Sequence, residues 1–162
     1  MSSTTSPATE ILPGLFIGNR HTIIGKDGWL KANQISVVIS ALSDEEYDEY
    51  MIGPSDFSHK NITWHQFTIS DDEMEVVTPY FDMTHLIVKK ALSEGKRVLI
   101  HCSAGVSRSA TLIASYLIFE RGLSSQDAIN YISRHRNHYC NPNPGFRHQL
   151  KTLASLCRDN RT

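Results

Sequence analysis

One stretch constrains the fold more than any other: Val98-Leu99-Ile100-His101-Cys102-Ser103-Ala104-Gly105-Val106-Ser107-Arg108-Ser109. An apolar run stops at a histidine and a cysteine. Five small or apolar residues follow, and after Arg108 a long apolar pattern continues to Phe119. That order predicts a buried strand, a tight loop and a buried helix. The loop carries no charge before Arg108, so an ordinary solvated turn does not account for it.

Such a loop suits an oxyanion. Successive backbone N–H groups curled round one point form an anion-binding nest. The start of the following helix adds unpaired donors and the positive end of its dipole. Gly105 allows backbone conformations that a side chain forbids. The planar fork of Arg108 can grip two oxygens of a tetrahedral anion. The same field favours thiolate over thiol at Cys102, and the thiolate is the nucleophilic form. A buried structural cysteine beside a surface arginine leaves both the Gly105 spacing and the uncharged loop unexplained.

The stretch reads H-C-x-x-G-x-x-R-S, and in it the chain resembles the active-site loop of the cysteine-dependent protein phosphatases. Flanking segments are similar to the small dual-specificity branch of that superfamily. They are Glu10-Ile11-Leu12-Pro13-Gly14-Leu15-Phe16-Ile17-Gly18, Ile69-Ser70-Asp71-Asp72, Tyr80-Phe81 and Asn141-Pro142-Asn143-Pro144-Gly145-Phe146. The likeness runs from about Ala8 to Cys157 in the family's order. It implies an α/β domain, a five-stranded mixed and mostly parallel sheet flanked by helices. Residues 9–158 are the expected catalytic domain, with 1–8 a disordered tail and 159–162 a C-terminal tail.

The resemblance also implies roles. Cys102 attacks phosphorus and forms a phosphocysteine. Arg108 and the N–H groups of Ser103, Ala104, Gly105, Val106, Ser107 and Arg108 hold the equatorial oxygens, best when the phosphoryl group is planar. Asp71, leading Tyr80-Phe81 in the family register, is the expected general acid, with Asp72 its adjacent competitor; a surface turn also accounts for either carboxylate. His101 orients the loop and tunes the thiol. Ser109 can donate to the cysteine sulfur. Asn143 either braces the loop or simply forms a turn. Arg136 either reaches a second phosphate or ends a helix in solvent. No metal or cofactor is required, because arginine and backbone supply the positive potential.

The chain is short for the elements that deepen the pocket of tyrosine-only relatives, so phosphoserine, phosphothreonine and phosphotyrosine are all expected to enter. The loop lacks the lysines typical of inositol-lipid phosphatases in the superfamily. The expected partners are phosphoprotein substrates, kinases among the candidates, with no nucleic acid and no membrane; the oligomeric state stays open. Two alternatives stand beside this reading. One is a phosphopeptide-binding module with weak catalysis. The other is a phosphatase of a non-protein phosphate, whether lipid, glycan or RNA end.

Composition sets outer bounds. With 162 residues, 40% hydrophobic and 20% charged, the chain can bury one sizeable core. A net charge of -1 offers nothing global to nucleic acid or anionic membrane. Three widely spaced cysteines make no disulfide framework, and a catalytic thiolate needs a reducing compartment. No targeting segment, lipidation motif or membrane-length apolar run is read, so a cytoplasmic protein is expected, with the nucleus a further candidate.

Along the chain, Glu10–Gly18 predicts two strands broken at Pro13-Gly14, and Asp27–Asn33 a short helix. Ile35–Ser40 predicts a central parallel strand. Asp44–Tyr50 reads as a solvated acidic helix or loop, Pro54–Lys60 as a loop and Ile62–Ile69 as a strand. Thr78-Pro79 opens a helix whose stripe is Tyr80, Met83, Ile87 and Ala91, stopped at Gly95. Gly122 ends the central helix, and Ser124 or Ser125 caps the next, with Ala128, Ile129 and Ile132 inward. Phe146, Leu150, Leu153 and Cys157 recur at helical spacing, which makes Cys157 core. His135, His138 and Cys140 are too few for a zinc site. Cys140 is either packed or a resolving thiol for oxidised Cys102.

Overall fold

The computed structural model describes residues 6–25, 27–136 and 140–160. Five strands, β1 (Ala8–Leu12), β2 (Leu15–Gly18), β3 (Val37–Leu42), β4 (Thr63–Thr68) and β5 (Val98–His101), form one sheet. Its order is β1-β2-β5-β3-β4. Only the β1–β2 pair is antiparallel; β2–β5, β5–β3 and β3–β4 are parallel. This is the expected mixed, mostly parallel α/β sheet.

Period-two alternation loads both faces of the sheet. Leu15, Ile17, Val37, Ile39, Val98 and Ile100 enter one core, and Phe16, Val38, Leu42 and Leu99 enter the other. The second core is closed by α1 (His21–Ile24), α2 (Trp29–Ala32), α3 (Asp44–Tyr50) and two 3-10 turns at Pro54–Asp56 and Ser58–Lys60. The first is closed by α4 (Pro79–Ser93), α5 (Arg108–Arg121), α6 (Ser125–Arg136) and α7 (Pro144–Asn160). A sheet covered on both faces explains why its parallel strands read as continuous apolar runs. Every residue of α5 from Arg108 to Ile118 is buried, and the helix ends where Gly122 adopts φ 65°.

Several local expectations shift. The strand expected over 35–40 runs over 37–42 and is interior and parallel to both neighbours, with β5 in the middle place. Ala8, expected in the disordered tail, is buried in β1 opposite Gly18, where two small residues let the strands close. Residues 159 and 160, expected in the C-terminal tail, continue α7. Residues 1–5 and 161–162 of those two tails lie outside the described residues.

On α4 the buried face is Phe81, Thr84, Val88 and Ala91, one residue round from the expected stripe, and Met83 is exposed. Tyr80 decides the rotation. Its ring packs on Phe67 while its hydroxyl reaches Thr68 O at the exposed edge, so Phe81 takes the interior. Thr78 does not cap α4 with its hydroxyl; that group donates to Gln149 instead. Ser124 is the residue that caps α6, accepting from Asp127 N at 3.0 Å. Among the described residues no helix is long and apolar enough to cross a membrane.

The two α4 faces separate in a stability measurement. Phe81→Ala should cost about 3–5 kcal/mol, and Met83→Ala about 0.5 kcal/mol or less, in urea unfolding at neutral pH. Equal costs would return the stripe to the Tyr80–Met83 face.

Candidate active site

The loop over 102–107 leaves the sheet at the C-terminal end of the central strand and turns directly into α5. The carboxyl ends of parallel strands are where α/β sheets bind ligands. Cys102 is buried, and its amide donates to Gly18 O on the neighbouring strand at 3.3 Å. Its sulfur lies 3.2 Å from Gly105 N, which donates to it, and 3.2 Å from the buried Ser109 hydroxyl. Gly105 sits at φ 72°. A side chain there would also stand 2.9 Å from the Arg136 guanidinium and 3.0 Å from Gly18 O. Conformation and space both require glycine.

The loop carbonyls are taken by flanking segments. Ser103 O accepts from Arg20 N at 3.0 Å and from the Arg20 side chain at 3.3 Å. Gly105 O accepts from Arg136, and Val106 O from Asn141 N at 2.9 Å. Ser107 O takes the amide and hydroxyl of Thr111. Of the loop amides, the Gly105 N–H turns inward onto the sulfur. The Ser103 hydroxyl joins the Tyr50 hydroxyl at 2.7 Å, and the Arg20 guanidinium lies over the Tyr50 ring.

Arg108 is buried and makes a two-pronged pair with Glu46: Nη1 to Oε1, and Nη2 to Oε2 at 3.0 Å. Nη1 also donates to Ile69 O at 3.0 Å. Its Nε–H has no hydrogen-bond partner among the described residues. Burial pushes the Glu46 carboxyl up, but the Arg108 guanidinium and the Ser43 N–H outweigh it and hold it at about 2. Glu46 also completes a capping box at the start of α3, accepting from Ser43 N at 2.9 Å while Ser43 Oγ accepts from Glu46 N. One carboxylate thus starts a helix and aims the arginine. The segment read as a solvated acidic helix therefore turns Glu46 inward and buries Tyr47.

Asp71 comes from the loop between β4 and α4. Its Oδ1 accepts from Ser107 Oγ at 2.7 Å and Asn143 Nδ2 at 3.0 Å. Asp72 is engaged otherwise: its Oδ1 accepts from Met74 N and closes a turn within its own loop. Asn143 combines both readings. Its amide N–H donates to Ser107 Oγ at 3.1 Å, and its Oδ1 accepts from Phe146 N, capping α7. Arg136 points to the loop carbonyl of Gly105. Cys140 is buried, and burial pushes its thiol up against the opposing pull of Arg136. Cys157 is half-buried against the core, and His138 lies outside the described residues.

Behind the loop runs a chain of buried donors. Trp64 Nε1 donates to Ser40 Oγ at 2.8 Å, and that hydroxyl meets His101 Nε2 at 2.6 Å. Cys102 O can only accept, so the one ring proton of a neutral His101 sits on Nδ1, and the Ser40 hydroxyl donates to Nε2. His101 Nδ1–H then donates to Cys102 O at 3.1 Å. Burial holds His101 neutral, lowering its pKa from 6.5 to about 4. It is in no position to act as a base toward the sulfur.

Sequence reasoning missed Glu46, Tyr50, Arg20, Ser40 and Trp64. The box Ser43-Asp44-Glu45-Glu46 was a readable helix start. Nothing local marks the other four, because the partners of each lie far along the chain.

The family model for the catalytic domain of dual specificity phosphatases matches residues 15–155. Dual specificity protein phosphatase 1B of Arabidopsis thaliana is 33% identical over 155 residues, covering 94% of this chain and 84% of that protein. The human serine/threonine/tyrosine-interacting protein is 33% identical over 149 residues, 91% of this chain and 64% of that one. Its crystal structure, described as tyrosine phosphatase-like, superposes with a TM-score of 0.83 at 31% identity, over 92% of this chain and 96% of that one. Protein phosphatase Slingshot homolog 3 of Rattus norvegicus is 28% identical over 149 residues, and this chain spans 21% of its length.

A neutral His101 should leave a signature in stability. Its pKa in the fold lies below its ordinary value, so the unfolded chain binds the proton first. The contribution is whole above pH 6.5 and is lost as pH falls from 6.5 toward about 4, a total of roughly 3 kcal/mol. Urea unfolding of wild type should weaken across that window more steeply than unfolding of His101→Gln. Parallel pH profiles would show that His101 is not held neutral.

The loop on the central strand, the buried arginine beside it and a family match across most of the chain agree: this protein belongs to the dual specificity phosphatases, a family of protein phosphatases.

Proposed function

We propose that the protein hydrolyses phosphotyrosine and phosphoserine or phosphothreonine in protein substrates through a phosphocysteine on Cys102. The observation that carries this reading is the hydrogen bond from Ser107 of the nucleophile's own loop to Asp71, which brings an acid from a separate segment to that loop. In the first step Cys102 sulfur bonds phosphorus, and the ester oxygen leaves with a proton from Asp71. In the second, the water oxygen bonds phosphorus and returns a proton to Asp71 as the S–P bond breaks, and the Ser109 hydroxyl at 3.2 Å stabilises the departing thiolate. Developing charge on the phosphoryl oxygens meets the amides of 103–108 and the Arg108 Nε–H, which has no other partner among the described residues. Because Glu46 already fixes the guanidinium, little reorganisation accompanies binding.

The two hydrogen bonds accepted by Asp71 Oδ1 leave its other oxygen, Oδ2, as the place for the transferable proton. Asp72 is committed to its turn, which supports Asp71 as the acid. A binding module with weak catalysis has less support, since Cys102, Arg108, Ser109 and an acid are all in place. Phosphoproteins, kinases among them, are the proposed partners, and a reducing compartment such as cytoplasm or nucleus suits an unpaired nucleophilic cysteine.

Turnover of phosphotyrosine and phosphothreonine peptides, set beside inositol lipids, tests the substrate class; the peptides should be preferred. Cys102→Ser should abolish turnover. Asp71→Asn should lower the rate on phenyl phosphate by about 100-fold or more, while Asp72→Asn stays close to wild type. Indifference of the purified protein to every aryl phosphate, or equal small effects of the two aspartate changes, would defeat the proposal.

A further inference from the structure

The acid loop is exposed along almost its whole length, so burial does not hold it. Ser70, Asp71, Asp72, Glu73, Met74, Val76 and Thr78 all face solvent, and only Val77 is buried. Within the loop, Glu75 accepts from Ser70 N, and Asp72 closes the turn to Met74 and Glu75. Those bonds shape the loop. They do not fix where the loop stands relative to Cys102.

Ser107 and Asn143 hold its leading half at Asp71, and one side chain of α7 holds its trailing half. Gln149 Oε1 accepts from Val77 N at 2.8 Å, Thr78 N at 3.0 Å and Thr78 Oγ1 at 2.8 Å. Its Nε2 donates to Glu75 O at 2.9 Å and, more loosely, to Gly145 O one turn back at 3.3 Å. A single amide thus ties the trailing half of the acid loop and orients itself on its own helix. Gly145 adds the second restraint. A Cβ at that position would stand 1.9 Å from Glu73 O, so the loop backbone rests directly on the helix backbone. The leading half of the loop is tied by Asn143 to Asp71, from the same end of α7.

We propose that Gln149 is a positioning residue for the general acid: it clamps the acid loop to the start of α7, so that Asp71 stands at the nucleophile loop before substrate arrives. The inference rests on Asp71 being the acid. Gln149 itself touches neither Asp71 nor Cys102 and acts only through the loop. Displacement of a reacting group by about an ångström can cost about 100-fold in rate. The loss should therefore fall on the proton-transfer function alone.

The experiment compares kcat/KM on phenyl phosphate, whose leaving group needs a proton, and on a fluorinated umbelliferyl phosphate, whose leaving group does not. Gln149→Ala should lower the first by about 100-fold and leave the second nearly unchanged. It should also flatten the alkaline limb of the pH profile, as loss of an acid does. Added to Asp71→Asn, it should cost nothing further on phenyl phosphate, because the two act as one unit. Gln149→Glu, which retains an acceptor for Val77 and Thr78, should recover part of the loss. If Gln149→Ala cannot be purified folded, Gln149→Met carries the same expectation with the volume preserved. Equal effects on the two substrates, or full additivity with Asp71→Asn, would overturn the positioning role. If Asp71→Asn itself failed to distinguish the substrates, the acid assignment would fall instead.

Discussion

The loop over 102–107 brings the Gly105 amide onto the sulfur while five of its carbonyls are satisfied by other groups. Arg20, Arg136, Asn141, Thr111 and His101 supply those donors, from five separate places in the chain. A buried peptide group without a partner is costly, so the loop's shape is as secure as that set of donors. Gly105 then admits both the left-handed turn and the close approach of Arg136. An anion would thus meet donors that are already oriented, which is the condition under which backbone amides stabilise charge well.

The polar groups behind the loop obey the same logic at the centre of the sheet. His101 faces Gly18 and Ser40 across two parallel pairings, where a charged imidazole would have no water and no counter-ion. Trp64, Ser40 and His101 instead pass hydrogen bonds in one direction and end on Cys102 O. The network is fully satisfied, so it adds rigidity rather than an unmet desolvation cost. Arg108 is the contrasting case. It keeps its charge, and Glu46 makes that tolerable in a buried position.

Much of this was legible in the sequence, for a physical reason. The strand–loop–helix stretch combines unbroken apolar runs with an uncharged glycine turn, and few structures other than a buried crossing into a helix satisfy that pattern. The breaks at Pro13-Gly14 and Gly122 were local for the same reason. What stayed hidden depended on rotation or on distance. Tyr80 and Phe81 are neighbours, and the choice between them turns on where a phenol hydroxyl finds an acceptor. Glu46 looked like one more acid on a solvated helix, because its partner lies 62 positions away. Asp71 and Asp72 are indistinguishable by composition; they part only when Ser107 and Asn143 arrive from elsewhere.

Burial of α5 on every side has an evolutionary consequence. Substitutions from Arg108 to Ile118 disturb packing in several directions at once, so the floor of the site is poor ground for divergence. Met51 after α3 and Met74 and Val76 in the loop between β4 and α4 are exposed apolar residues with no such constraint. Residues of that kind are free to change while the packing beneath them stays as it is.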